Sequence, residues 1–439
     1  MLNVGFIGVT QKTFKYRKEE VFNESINVLK SFADKVPFNL IYNDTLIDDP
    51  NFLADLMRDW ETKIDLLIVQ TTTFSSGNIG EIIAKSNIPV IYWALPEPEI
   101  ANNLKWNSLC ALNFFVSLLK RFNPNKKFKW VYSPIHDASD LLRELKIYKV
   151  VKSLKNLRIG HLVGTAPGFL NLDVSEDLIK EKLGTEIVKF PNLDLLMETI
   201  KNLDEEEVKK EKANLIGKID MKIEEKWLDE GIKISLALRK IAKDYKLEAI
   251  ASRCWPDFKE KLSIFPCFSF AVLNEEIPVS CEGDILSSLA MYMLKELSQT
   301  PTTVLDLVYY DEKGIVLWHC GNTPLSLTKS KVYLDYQFNH PGMGTVIDSR
   351  FKEGEVTIFS FNQDMKNALV FSGKISYPFD TKFQGSFAYV TDLTVKPKEL
   401  FDIILREGFP HHLVLSYGNY VDLIKEVLYW LEIPVIILN

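Results

Sequence analysis

Residues 278–322 read PVSCEGDILSSLAMYMLKELSQTPTTVLDLVYYDEKGIVLWHCGN, and this stretch decides how the rest of the chain is understood. Its middle is a helix: Leu286, Leu289, Ala290, Met293, Leu294 and Leu297 recur at three- and four-residue steps and form one apolar face. Glu282 stands at the front edge of that helix, within SCEGD. Pro301 stops it, and an extended apolar run, TVLDLVYY, follows with Asp306 embedded in it. A helix preceded by one acid and followed by a strand holding another brings both carboxylates to one end. A glycine turn, a short apolar strand and His319 in WHCGN come next. Two carboxylates converging with an imidazole make a hard-metal site with acid/base capacity.

This pattern resembles the L-fucose isomerase and L-arabinose isomerase superfamily of metal-dependent aldose–ketose isomerases. The fucose isomerases place two acidic metal ligands 24 residues apart, at the start of a helix and just beyond it; Glu282 and Asp306 are separated by 306 − 282 = 24. The arabinose isomerases carry EGD at the first ligand, as SCEGD does, and a His-His pair near the C-terminus that His411-His412 matches. The resemblance implies Glu282 and Asp306 as both metal ligands and catalytic acid/base groups, with His412 as third ligand. His411 is the alternative, because neighbours along a strand face opposite ways. It further implies an α/β protein with two doubly wound, Rossmann-like parallel-sheet domains and a β-rich, barrel-like C-terminal domain. The implied assembly is a homo-oligomer, trimeric or hexameric, with pockets completed by a neighbouring subunit.

Composition bounds the alternatives. A chain of 439 residues exceeds one compact core, so two or three domains are expected, at residues 1–155, 156–300 and 301–439. The formal net charge of −7, with no basic cluster, argues against a nucleic-acid partner. No apolar run approaches the ~18 residues of a membrane span. The first twenty residues lack a signal-peptide layout, and the five cysteines show no close metal-ligand spacing, so they read as reduced thiols in a cytoplasmic protein.

Residues 1–155 alternate short apolar runs (LNVGFIGV, FNLIYN, KIDLLIVQ, PVIYWALP) with charged amphipathic stretches at 16–33 and 52–62, the pattern of a doubly wound sheet. GVTQKTF after the first run has neither the glycines nor the helix start of a dinucleotide site, which excludes a nicotinamide cofactor there. A second α/β unit opens with LRIGHLVGTAPGF, whose glycines read as tight-turn residues; the region 203–246 reads as solvated helix. In EAIASRCWPDF, Arg253 offers a bidentate donor and Trp255 an apolar face, and relatives carry a similar Cys-Trp segment, so both are candidate sugar contacts. Beyond Thr303 come β-rich runs, among them GIVLWH, KVYLDYQF, GEVTIFSF, ALVFSGKI and GSFAYVTDLTV. The chain ends in a helix, HHLVLSYG, a second helix and IPVIILN.

The chemistry implied is transfer of hydrogen between C1 and C2 of an open-chain sugar through an enediol. Oxygen ligands with imidazole favour Mn²⁺, with Co²⁺ and Mg²⁺ as alternatives. His319, His340 and His411 are further substrate-side candidates, His319 also as a ligand. Two other functions compete with an isomerase of common sugars: a non-catalytic sugar-binding relative, and an enzyme of the same scaffold acting on a modified or acidic sugar.

Overall fold

The structure is a computed structural model and describes residues 1–329, 332–377 and 383–438. Two compact units divide the chain, Met1–Ser153 and Leu154–Asn439. The first is built from β1 (Leu2–Val9), α1 (Lys18–Phe32), β2 (Phe38–Tyr42), α2 (Pro50–Trp60), β3 (Leu66–Thr71), α3 (Gly77–Lys85), β4 (Val90–Ala94), α4 (Ser108–Phe122), β5 (Phe128–Tyr132) and α5 (Ser139–Leu154). Its five strands are all parallel in the order β2-β1-β3-β4-β5. Strands covered by helices on both faces must be apolar throughout. β3 and β4 are accordingly buried at every residue.

The second unit begins with a smaller parallel sheet. Its elements are β6 (Arg158–Leu162), α6 (Glu176–Leu183), β7 (Glu186–Phe190), α7 (Asp194–Lys201), α8 (Glu205–Leu215), β8 (Ile219–Met221), α9 (Glu225–Tyr245), β9 (Ala249–Ser252), α10 (Asp257–Leu262), α11 (Cys267–Leu273), β10 (Val279–Ser280) and α12 (Ile285–Ser298). The sheet order is β10-β9-β6-β7. The segment expected to be helical from 203 to 246 is interrupted by β8, which leaves this layer and pairs with a strand more than a hundred residues later.

The β-rich layer consists of β11 (Thr303–Tyr310), β12 (Ile315–His319), β13 (Val332–Asp335), β14 (Val346–Arg350), β15 (Gly354–Phe361), β16 (Ala368–Ile375) and β17 (Ser386–Thr391), followed by α13 (Pro397–Glu407), β18 (His412–Tyr417), α14 (Val421–Leu431) and β19 (Val435–Leu438). Lys331 and Asn439, at the ends of two expected strands, lie outside the described residues. Antiparallel pairing runs β16-β15-β18-β11-β12-β17, and β17 pairs back to β16, so six strands close into a barrel. Closure removes the exposed edges that an open sheet presents. β19 adds beside β16, while β14, β13 and β8 extend the sheet from β17.

Residues alternate across a strand, so the barrel has two faces. Leu305, Leu413 and Leu415 fill its interior with Ile358, Phe371 and Ala388. The alternate positions of β11 and β18, Val304, Asp306, His412 and Val414, therefore face outward. α12 packs on that outer face, in contact with β18, β15 and β11, and also touches β9, β10 and β6 of the parallel sheet. The apolar periodicity of α12 predicts one buried face, yet every residue from Ile285 to Leu294 is buried. A helix held between two sheets has no solvent side, and Ser287 and Ser288 are accommodated by hydrogen bonds to Asp284, Ser280 and the Ile250 carbonyl.

Candidate metal centre and sugar cavity

The EGD triplet is where the parallel sheet hands the chain to α12, and each of its residues is constrained. Glu282 sits in the left-handed region at φ 61°, and its carbonyl accepts the Ala166 N–H at 2.9 Å. A non-glycine residue held there is strained, a condition that clusters at functional sites. Gly283 follows at φ 74°, and a Cβ at this position would run into the Gly164 carbonyl. Only glycine satisfies both demands. Asp284 is the N-cap of α12: its Oδ1 accepts the Ser287 N–H at 2.9 Å. Its Oδ2 accepts from the Ser287 hydroxyl at 2.5 Å and from His412 Nδ1 at 2.8 Å.

β11 and β18 are paired so that Asp306 lies directly opposite His412. Opposed residues share a face, so both side chains leave the barrel together, towards the EGD turn. His412 Nε2 lies 3.3 Å from Glu282 Oε2 and 3.5 Å from Asp306 Oδ1. His411 Nε2 lies 3.6 Å from Glu282 Oε2. Ligand atoms of Glu282, His411 and His412 are close enough to share one ion, as are those of Asp306, His319 and His412. Glu282 Oε2, Asp306 Oδ1, His319 Nε2 and His412 Nε2 are all buried without a hydrogen-bond partner. Buried polar atoms left bare cost on the order of 1–3 kcal/mol each, and the two acid oxygens, each within 3.5 Å of His412 Nε2, fit with that nitrogen a cation that would satisfy all three. Asp284, holding the far nitrogen of His412, supplies the outer carboxylate that orients a ligating imidazole and leaves its Nε2 lone pair facing the acids. Nothing in its sequence context except the N-cap position signals that second task.

Charges inside this cluster are mutually dependent. Burial would raise the Glu282 carboxyl, but His411 and His412 beside it hold it well below the usual carboxylate range. Burial opposes charge on His412, and Asp284 and Glu282 outweigh it, raising the imidazole well above its ordinary value. For His319, burial is likewise outweighed by Cys320, Asp306 and Glu282, which push it up to about 9. A metal must displace the proton from His412, so below that raised pKa each unit fall in pH should weaken metal binding by about tenfold. Calorimetric titration of Mn²⁺ in buffers of different ionisation enthalpy should show proton release at pH 7 and tightening as pH rises. Affinity independent of pH between 6 and 8 would remove His412 from the ligand set.

The cluster opens on a cavity of about 360 Å³, lined by Trp255, Phe265, Trp318, His319, Phe338 and His340 together with Glu282, Asp306, Gln337, Asn339 and three cysteines. Among the described residues that line it there is no lysine or arginine. Trp255 thus stands in the cavity wall, against Phe169 at 6.3 Å between centroids, and His340 stacks on Phe265 at 4.9 Å. Arg253 does not reach the lining: its guanidinium is committed to Asp257 through two bonds of 2.6 and 2.9 Å, and to the Thr165 carbonyl. The four-residue spacing on a short turn makes Asp257 the nearer partner. His319 presents Nε2 to the cavity while its Nδ1 accepts the Cys320 N–H at 2.9 Å.

Alternation along a strand places His411 and His412 on opposite faces, but their rings are 4.4 Å apart and both approach Glu282. His411 precedes the first residue of β18 and lies in a bend, so strand alternation does not govern it. Its Nδ1 meets the Asn171 amide at 3.1 Å, and Phe169 packs against its ring. The GTAPGF loop, read from sequence as a simple turn, therefore shapes the approach to the site.

A larger cavity, of about 1100 Å³, opens on the first unit between α4 and β5, but its lining is mainly apolar. The carboxylate that reaches it, Glu97, is occupied by the N–H groups of Lys105, Trp106 and Asn107. It offers no converging acid and imidazole pair.

Over nearly its whole length this chain is similar to sulfoquinovose isomerases. Those of Priestia aryabhattai and Priestia megaterium are each 28% identical over 440 residues, covering 96% of this chain and 96% of theirs. The enzyme of Alkalicoccus urumqiensis is 25% identical over 452 residues, with 99% of both chains covered. No family model matches the sequence. Among solved structures, a solute-binding protein of Agrobacterium vitis bound with α-D-tagatopyranose aligns with 68% of this chain and 90% of its own at 9% identity and a TM-score of 0.19, too low to bear on the fold. No helix among the described residues is long and apolar enough to cross a membrane.

Proposed function

We propose that this chain is a divalent-metal-dependent aldose–ketose isomerase whose substrate is an acidic sugar, sulfoquinovose or a close analogue. The observation that carries the reading is the meeting of three unpartnered buried atoms, from Glu282, Asp306 and His412, beside a sugar-sized cavity that both acids line. The full-length similarity to enzymes named for sulfoquinovose supports the acidic substrate over a neutral hexose or pentose. Glu282, Asp306 and His412 would hold the ion, since each acid lies against His412 Nε2, with His411 beside Glu282. Oxygen-rich ligation with imidazole favours Mn²⁺, with Co²⁺ and Mg²⁺ as alternatives. When bound, the ion supplies Lewis-acid polarisation of the sugar carbonyl and its neighbouring hydroxyl.

The residues of the chain do the rest. One carboxylate of the Glu282–Asp306 pair takes the proton from C2 of the open-chain aldose and returns it to C1 of the enediol, while the other serves the oxygens. His319 Nε2 points at the same space as a hydrogen-bond donor. Trp255, Trp318, Phe265 and Phe338 give apolar faces to the carbon chain and keep water from the enediol. With no lysine or arginine in the lining, an acidic substituent would be met by Gln337, Asn339 and His340. The intact acid pair weighs against a binding protein without activity.

The deciding experiment offers sulfoquinovose, L-fucose, L-arabinose, D-arabinose and D-glucose to the Mn²⁺-loaded protein and follows aldose–ketose interconversion by NMR. Sulfoquinovose should turn over fastest. Turnover confined to a neutral sugar would overturn the acidic-substrate assignment, and no turnover of any aldose would overturn the isomerase itself.

A further inference from the structure

Five cysteines are scattered through the sequence without close spacing, and the fold gathers four of them. Cys254 follows β9, Cys267 opens α11, Cys281 follows β10 and Cys320 follows β12. Cys267 Sγ and Cys320 Sγ are 3.3 Å apart, and Cys281 is within hydrogen-bonding reach of both Cys254 and Cys320. Cys254, Cys267 and Cys320 line the same cavity as the acids. Four thiols in contact invite a soft metal, but among the described residues no group close enough to share one ion includes a cysteine. The sulfurs form a chain of contacts rather than a cage.

We propose that Cys267 and Cys320 form an oxidation site in the cavity wall, where peroxide converts the two thiols to a disulfide that disables the candidate site. Both sulfurs face the cavity, so a small oxidant that enters as the sugar does reaches them. A peroxide oxidises the Cys320 sulfur to a sulfenic acid, releasing one water. Cys267 sulfur then attacks it, expelling the second water. Overall, two S–H bonds and one O–O bond break, one S–S bond forms, and the thiols give two electrons and two protons to the peroxide. The sulfurs must close from 3.3 Å to about 2.05 Å, a movement of about 1.2 Å.

The link joins two walls of the cavity. Cys320 is the residue after His319, and both its N–H and its sulfur lie against His319 Nδ1, at 2.9 and 3.3 Å. Cys267 lies two residues after Phe265, which stacks on His340 and bonds through its N–H to the Gly344 carbonyl at 2.7 Å. Drawing Cys320 towards Cys267 takes its sulfur from the imidazole and ties the end of β12 to the start of α11, close in sequence to Phe265, on which His340 stacks. The expected consequence is loss of turnover, reversible by a dithiol.

The test treats the full-length protein with hydrogen peroxide and maps its peptides by mass spectrometry without reduction. Thiols titrated after unfolding should fall from five to three, with one linked pair, Cys267–Cys320. Dithiothreitol should restore five thiols and the activity together. Cys267→Ser and Cys320→Ser should each abolish the link, so a folding defect in one variant leaves the other to decide. The link is read without any sugar, so failure of the isomerase assignment does not touch it. A link between Cys254 and Cys281, a link that persists in Cys267→Ser, or five thiols remaining after peroxide would each overturn the proposal.

Discussion

Glu282→Gln and Asp306→Asn should each lose about 10²- to 10⁴-fold in turnover at saturating Mn²⁺, the contribution typical of a positioned proton-transfer group. Both substitutions keep side-chain size and one oxygen, so the cavity and the strained turn at Glu282 should survive. A weakened ligand can be compensated by excess metal, because occupancy follows mass action. A missing proton acceptor cannot be compensated in that way, since an amide does not take up a proton at any accessible pH. The expected signature is therefore a split: metal and sugar binding recover with added Mn²⁺, while turnover and the exchange of the sugar's C1 and C2 hydrogens with solvent do not. Recovery of near-normal turnover in either variant would make that residue a ligand only, and would leave the other acid to move the proton alone.

The second large effect concerns Asp284, which sequence reasoning leaves as part of a motif without a task. Its carboxylate both caps α12 and holds His412 Nδ1 at 2.8 Å. Asp284→Ala should lower metal affinity by about 10- to 100-fold, as removal of an outer-shell carboxylate commonly does. The same change removes the helix cap, which costs about 1 kcal/mol of stability. Asp284→Asn separates the two effects, because its single amide oxygen can keep the cap bond from the Ser287 N–H while an uncharged NH2 group replaces the oxygen that faces the imidazole. Metal affinity should fall in the order wild type, Asn, Ala, while the melting temperature of Asn stays near that of the wild type. If Asp284→Ala binds Mn²⁺ as tightly as wild type while melting earlier, Asp284 acts as a cap alone.

Much of this architecture is legible locally. The apolar runs of β3 and β4 announce a parallel sheet, and the three- and four-residue recurrence from Leu286 onward announces α12. Asp306 stands out because a carboxylate within an apolar strand is costly unless something compensates it. These signals depend on neighbours within a few residues, so the sequence carries them unaided. The triplet Glu282-Gly283-Asp284 is legible as a motif for the same reason.

What brings the site together is not local. Whether Asp306 faces His412 or a leucine depends on the register between β11 and β18, and a slip of one residue would turn His412 into the barrel interior. That register is set by packing more than a hundred residues apart along the chain, where Leu305 and Leu413 must share the barrel core. The burial of α12 on all sides, the departure of β8 to the far sheet and the meeting of cysteines from four separate elements have the same origin. A sequence specifies which side chains want to be buried or paired. Only closure of the barrel against the parallel sheet decides which acid, imidazole and thiol become neighbours, because contact between distant segments is fixed by the packing of everything between them.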